Sequence, residues 1–322
     1  MPLTPYPTQH RVVLPFAACS AAEWLPTMKA LPPAACRNFK QLLQGMKLIA
    51  TDSGDERSLS PPHERVLAAA RGLPLTDGLI PWAAWQQLQK GGIPGGRAWA
   101  FVTPCHWAMG QDHATLTDPA TLDLQEDDSR ALLAAMQPYF ATGGITLHYA
   151  EPTLWLAEGE VFRTLPSASL DRVLGRNVRP WLPGTKEIRL LQNEMQMLLY
   201  THPLNDQRGA KGQLSVNSFW LSGSGALPDG FTPVPSTSVA ASRQLAPPAF
   251  TGDWPAYAQA WAALDASEGA RLLDLQQRGE IVRFSLCGER NALTFETART
   301  GLFRKLSKLF HLQPFVVVLE QL

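Results

Sequence analysis

The chain has 322 residues, 45% hydrophobic and 17% charged, a balance that excludes a disordered or fibrous protein and leaves room for two domains or one large α/β domain with an insertion. Basic and acidic residues number 28 each, so no global field recruits nucleic acid or anionic membrane, and any binding must rest on local clusters. The 27 prolines and 10 tryptophans point to rigid turns and large aromatic anchors rather than long uninterrupted helices.

In chain order, residues 1–10 form a proline-rich lead and residues 11–16 read as a first strand. Residues 36–49 carry a helical pattern through Phe39, Leu42, Leu43 and Met46, followed by a polar loop at 51–56. Ser60-Pro61-Pro62-His63-Glu64 opens a helix that Ser60 can cap and Gly72 closes. Residues 82–88 form another helix, and the glycine pairs at 91–92 and 95–96 mark a domain boundary. A strand at 98–102 leads into a loop with Cys105, His106, Asp112 and His113. Asp123, Glu126, Asp127 and Asp128 sit where acids favour a helix N-terminus, and residues 145–157 read as two short strands.

Residues 187–200 show the sharpest helical periodicity, through Ile188, Leu191, Met195 and Leu198. Pro203 ends that helix and a polar loop follows. Residues 215–221 then form a β-branched and aromatic strand that stops in a turn at Gly223 and Gly225. Residues 226–253 read as a long loop. Helices at 254–265 and 267–278, a strand at 281–287, a basic helix at 297–310 and a final buried strand at 315–319 complete the series. Alternating strands and helices indicate an α/β sheet.

The four cysteines, Cys19, Cys36, Cys105 and Cys287, form no CxxC pair, which suggests reduced thiols in a cytoplasmic protein. Phe16-Ala17-Ala18-Cys19 has the outline of a lipidation box, but its apolar run is short and broken by Pro15. No window approaches the roughly 20 apolar residues of a spanning helix, so no membrane association is expected.

Three constellations could carry chemistry. His106, Asp112 and His113 could converge on a divalent ion, against the plainer reading of a hydrogen-bonded loop. Ser60 and His63, with Glu64, offer a nucleophile, a base and an orienting acid, or simply a capped helix with a first-turn acid. Arg172, Arg176, Arg208, His202, Asn205 and Asn217 supply forked donors and amides for a phosphorylated or carboxylated ligand, or else a polar network between domains. The basic set Arg299, Arg304, Lys305 and Lys308 reads as a solvated helix face, which disfavours nucleic acid.

HPLNDQR at 202–208, Gly212 and VNSFWLSGSG at 216–225 resemble a segment of archaeal-type cofactor-independent phosphoglycerate mutases, of the alkaline phosphatase superfamily. Five stretches, SLSPPHERVLA, PCHWAMGQDHATLTDP, ASLDRVLGRN, LQNEMQMLLYTHPLND and VNSFWLSGSG, are more closely similar to bacterial RpfE-type (regulation of pathogenicity factors) proteins. The resemblance implies an α/β alkaline-phosphatase-like core at 1–95 and 213–322, with a smaller α+β substrate-type domain inserted at 96–212. In that family two metal ions serve a Ser or Thr nucleophile, whose place Ser60 roughly matches. Here the first strand runs into Pro15-Phe16-Ala17 without an acid, and the family's acidic and histidine motifs near the end have no match around Gly288-Glu289. Apolar replacements cannot assemble two oxygen-rich metal sites.

The expectation is therefore a pseudoenzyme with no cofactor. It would bind a small anionic or phosphorylated metabolite, or a protein partner, through His202, Asn205, Arg208, Asn217, Arg172 and Arg176. Trp220 would pack, and Gly223 and Gly225 would allow close backbone approach. The rival is a metal-dependent phosphomutase or phosphatase with Ser60 as nucleophile and a divalent ion at His106, Asp112 and His113.

Overall fold

A computed structural model describes residues 9–92, 95–234, 239–298 and 314–322. It is a mixed α/β fold in two compact units, one comprising Met1–Glu56, Pro61–Arg71 and Pro233–Leu322, the other Arg57–Ser60 and Gly72–Thr232.

The first unit opens with β1 (Gln9–Leu14), whose Val12, Val13 and Leu14 are buried, as expected of a strand covered on both faces. Helices α1 (Trp24–Ala30) and α2 (Arg37–Gln44) follow, then β2 (Met46–Ser53) and α3 (Pro62–Arg71). The helix expected over 36–49 thus stops at Gln44, and a strand at 46–53 takes in the first half of the expected polar loop. β2 lies at the sheet edge with only Met46 buried, so no alternation of apolar and polar residues betrays it.

The second unit contains α4 (Trp82–Gln89), β3 (Ala98–Cys105), the hairpin of β4 (Trp107–Met109) and β5 (Ala114–Leu116), and α5 (Glu126–Thr142). Next come β6 (Thr146–Glu151), β7 (Leu154–Glu158), the single turn α6 (Leu170–Val173), α7 (Lys186–Tyr200), α8 (Pro203–Ala210) and β8 (Ser218–Ala226). Its sheet has the order β6-β7-β3-β8, antiparallel throughout. Helix α7 buries Ile188, Leu191 and Met195, as its periodicity marks, and in the last turn Leu199, with Leu198 half-buried.

Two local expectations are corrected here. The polar stretch after His202 is the helix α8, because Pro203 occupies its first turn, where no amide hydrogen is needed, and so starts a helix as well as ending one. Gly223 (φ +61°) and Gly225 (φ +144°) do not end the strand; β8 runs through both. A Cβ on Gly223 would stand 2.8 Å from the Phe101 ring and 3.0 Å from the Trp82 Cβ, so the glycines admit close neighbours inside the sheet layer.

The chain returns to the first unit through β9 (Val239–Ala241), α9 (Ala246–Thr251), α10 (Trp254–Leu264) and α11 (Ala270–Gln277). β10 (Ile281–Cys287), β11 (Asn291–Thr297) and α12 (Phe315–Leu319) follow. A π-helical turn at Asp265–Gly269 joins α10 to α11 and aims Asp265 at the start of α2. There its carboxylate accepts the amides of Asn38 (3.1 Å) and Phe39 (2.8 Å), which the helix itself leaves unsatisfied. The sheet order is β2-β11-β10-β1-β9, with β1 parallel to β10 and β9, and β11 antiparallel to β10 and β2. Phe39 stacks on Phe284 in the core, with ring centroids 5.2 Å apart.

Residues 315–319 form a helix, not the expected strand; the periodicity of five apolar residues cannot tell the two apart. Most of the basic helix expected at 297–310, including Arg299, Arg304, Lys305 and Lys308, lies outside the described residues.

The unit boundaries differ from the expected 96 and 212. β8 pairs with β3 from Ala98↔Ala226 to Cys105↔Ser218, which ties the residues just after 212 to the second unit's sheet, and α4 packs on those same two strands. The glycine pairs at 91–92 and 95–96 are therefore a turn inside the second unit.

Candidate functional site

The motif from His202 to Asn217 is held together by its own side chains. His202 caps α8, its Nδ1 accepting the Leu204 amide at 3.2 Å. Asn205 Nδ2 donates to the carbonyls of Leu199 (2.7 Å) and Val216 (2.8 Å), while its Oδ1 accepts the Val216 amide at 2.9 Å. Asn217 spans the Trp107 backbone, accepting its amide at 2.7 Å and donating to its carbonyl at 3.0 Å.

Arg208 is only 1% exposed. Its guanidinium donates to the carbonyls of Leu214 (2.8 Å) and Leu122, and Asp128 lies 3.9 Å from Nη1. With these bonds made, Asn205, Asn217 and Arg208 clamp α8 to the approach of β8. Apart from Arg208 Nη1, which is buried without a hydrogen-bond partner among the described residues, their side chains are engaged with the chain itself. Trp220 packs as expected: buried, tilted against Trp107, and donating from its indole nitrogen to the Ala168 carbonyl at 3.0 Å.

His106 is half-buried, with Nδ1 2.8 Å from the Ser215 carbonyl. Asp112 and His113 are exposed on the turn joining β4 to β5. Among the described residues no group of three or more His, Cys, Asp or Glu side chains is placed to hold a metal ion. Past β1 the chain offers Phe16, Ala17 and Ala18, and past β10 a single carboxylate, Glu289.

A second cluster surrounds Ser60, within the second unit. Asp77 accepts the amides of Leu59 (2.9 Å) and Ser60 (2.8 Å), and the Ser60 hydroxyl accepts the Gly78 amide at 2.9 Å. The Gly78 carbonyl accepts the Ser167 amide (2.9 Å), and the Leu59 carbonyl accepts the Ser169 amide (3.0 Å). Ser224 on β8 donates its hydroxyl to Ser167 Oγ at 2.8 Å. Into this buried knot of serines comes Arg172 of α6, 3% exposed, with Nη2 3.5 Å from the Ser60 carbonyl. Asp171 beside it is also buried, and Arg176, one turn further on, is half-buried past Gly175. Ser60 and Arg172, 112 positions apart, are thus brought together. His63 belongs to the first unit, where its ring lies 5.4 Å from Phe16.

The first unit has a feature that the sequence did not single out. The carboxyl ends of β1 and β10 border a crevice of about 320 Å³ whose lining includes Cys19, Ser20, Trp24, Glu289, Arg290 and Asn291. Open α/β sheets place ligands outside the carboxyl ends of their strands, and that rule was the available signal. Phe16, just before the crevice, has φ +58°, a conformation rare for a bulky residue. The Tyr257 hydroxyl, donating to the Phe16 carbonyl at 2.7 Å, holds it there.

No family model matches the chain, and no curated protein sequence matches it. Solved structures do. One is the cofactor-independent phosphoglycerate mutase from Thermoplasma acidophilum DSM 1728, 12% identical, with a TM-score of 0.36 over 97% of this chain and 99% of that one. Another is the PH0037 protein from Pyrococcus horikoshii, 10% identical, with a TM-score of 0.41 over 90% of this chain and 87% of that one.

Proposed function

We propose that the chain is a phosphoglycerate-mutase-like protein of the RpfE type that acts by binding a small phosphorylated or otherwise anionic metabolite, without turnover. Five sequence stretches that resemble RpfE-type proteins support the assignment. The observation that carries the ligand class is Arg172, a buried guanidinium beside Ser60 in a knot of serine hydroxyls. Guanidinium and hydroxyl together match the forked acceptors of phosphate and carboxylate. Arg176, half-buried on the same stretch, is the member of the pair that a ligand reaches from solvent.

Thermal shift with 3-phosphoglycerate and with inorganic phosphate tests the reading. A ligand at a hundred times its dissociation constant stabilises by about 2.7 kcal/mol. Arg176→Ala and Arg172→Lys, which keeps the charge but loses the fork, are expected to lose the shift, while Arg208→Met keeps it on a lower baseline. If neither anion raises the midpoint, or Arg172→Lys responds like the unsubstituted chain, the ligand class is wrong. Mutase or phosphatase turnover with added manganese or zinc that vanishes in Ser60→Ala would replace binding with catalysis.

A further inference from the structure

Four charged side chains of the first sheet fall in one row. Strand register sets Arg11 of β1 opposite Arg283 of β10, Arg283 opposite Glu296 of β11, and Glu296 opposite Lys47 of β2. Residues directly opposite share a face, so the four stand side by side across four strands, over about 14 Å. Further along, α3 covers this face: Val13, two residues on from Arg11, packs with Val66 and Leu67 of that helix. Next to the row, the hydroxyls of Ser285 and Thr294 share a hydrogen bond of 2.8 Å.

One carboxylate serves three cations. Glu296 accepts from Arg283 Nε at 2.7 Å, lies 4.0 Å from Lys47 Nζ, and is the carboxylate whose charge acts on Arg11. The row therefore holds two positive charges in excess. Residues 1–8, 93–94, 235–238 and 299–313 contain no aspartate or glutamate, so they supply no balancing carboxylate. Like charges set directly opposite on neighbouring strands destabilise a sheet. Burial, and then the charge of Arg283, holds the Arg11 guanidinium below its usual range. An anion bridging the two guanidiniums turns that repulsion into paired, charge-assisted hydrogen bonds.

We propose that Arg11, Arg283 and Lys47 bind a condensed phosphate chain, free or carried by a nucleotide. The two guanidiniums stand on adjacent strands, about 4.8 Å apart, and Lys47 lies about 10 Å beyond them along the same line. A phosphate chain spreads its charges along a line in the same way, whereas orthophosphate meets one end of the row. Arg11 and Arg283 are half-buried, which suits a small anion better than a macromolecular surface. The row crosses the amino-terminal halves of β1 and β10, away from the crevice at their carboxyl ends, and it belongs to a different unit from Arg172. It stands independently of the metabolite reading for Arg172.

Calorimetric titration of the full chain with tripolyphosphate, at low salt and without divalent metal, tests the proposal. Binding is expected to be retained in Arg172→Lys, to weaken as salt rises, and to fall about tenfold or more in Arg11→Met with an unchanged circular dichroism spectrum. Lys47→Met, on the exposed edge strand where a substitution does not threaten folding, is expected to weaken binding about two- to threefold. ATP separates the two sources: binding tighter than tripolyphosphate assigns a nucleotide and weaker binding a free chain, each supporting the proposal when Arg11→Met reduces it. Absence of binding by both anions overturns the proposal. So does tripolyphosphate binding that is unchanged in both Arg11→Met and Lys47→Met, or that is lost in Arg172→Lys.

Discussion

Asn217 holds Trp107 as a strand holds its neighbour: its side-chain amide accepts the Trp107 N–H at 2.7 Å and donates to the Trp107 carbonyl at 3.0 Å. The pair continues the β3–β8 ladder beyond Cys105↔Ser218, where the backbone alone would leave two polar groups unmatched. Asn217→Ala is expected to destabilise the protein by about 2 kcal/mol in urea unfolding, since it orphans both groups. Asn217→Asp, which keeps the acceptor and loses the donor, should cost less. Neither substitution should alter the response to phosphate, and a loss of that response with stability intact would restore Asn217 to the ligand set.

Arg208 gives a larger effect. Replacing it with methionine keeps much of the volume but leaves the carbonyls of Leu214 and Leu122 without its donors. The expected loss is about 3 kcal/mol, measured as a drop in denaturation midpoint without a change in slope.

Gly223→Ala places a methyl group 2.8 Å from the Phe101 ring at a backbone φ of +61°. Contact and conformation both oppose it, and about 1–3 kcal/mol of destabilisation is expected. Gly230→Ala also meets positive φ (+68°) but has open space around it, so thermal melts of the two separate the steric part from the backbone part.

The thiols make stability depend on pH in the alkaline range. Burial, and then the charge of Asp265, lifts the Cys36 thiol from 9.0 to about 12, and burial also raises Cys105 and Cys287. Above pH 9 the unfolded chain releases these protons while the folded chain keeps them. The stabilisation they represent is complete below that pH and declines as pH rises toward 12. Unfolding free energies measured from neutral pH upward should fall beyond pH 9, and Cys36→Ser should flatten the decline. Under native conditions iodoacetamide should label Cys19, half-buried, ahead of the three buried thiols.

Long elements with one clear period were legible in the sequence. α7 falls within a residue of its expected limits, and β10 matches them, because each buries a face large enough to stamp a pattern. Where pattern and burial part company, reading failed. β2 is an exposed edge strand, and the apolar run 315–319 is too short to show a period. Proline and glycine misled at α8 and β8, since the same residue can end one element or begin or soften another. For the candidate site, residue types gave the polar set but not its partners: Asn205, Asn217 and Arg208 spend their hydrogen bonds on the chain itself. Ser60 and Arg172 meet only because the second unit folds, and no local spacing announces it.

The pairing of β1 with β10 sets the order of assembly during synthesis. Gln9 lies opposite Ile281, so β1, an interior strand of the first sheet, must wait for most of the chain to leave the ribosome before it can pair with β10. Nearly all of the second unit is the continuous stretch Gly72–Thr232, complete long before that. The second unit can therefore form while β1 is still unpaired and its apolar residues uncovered, which makes the nascent N-terminal strand the part of the chain most dependent on protection from chaperones.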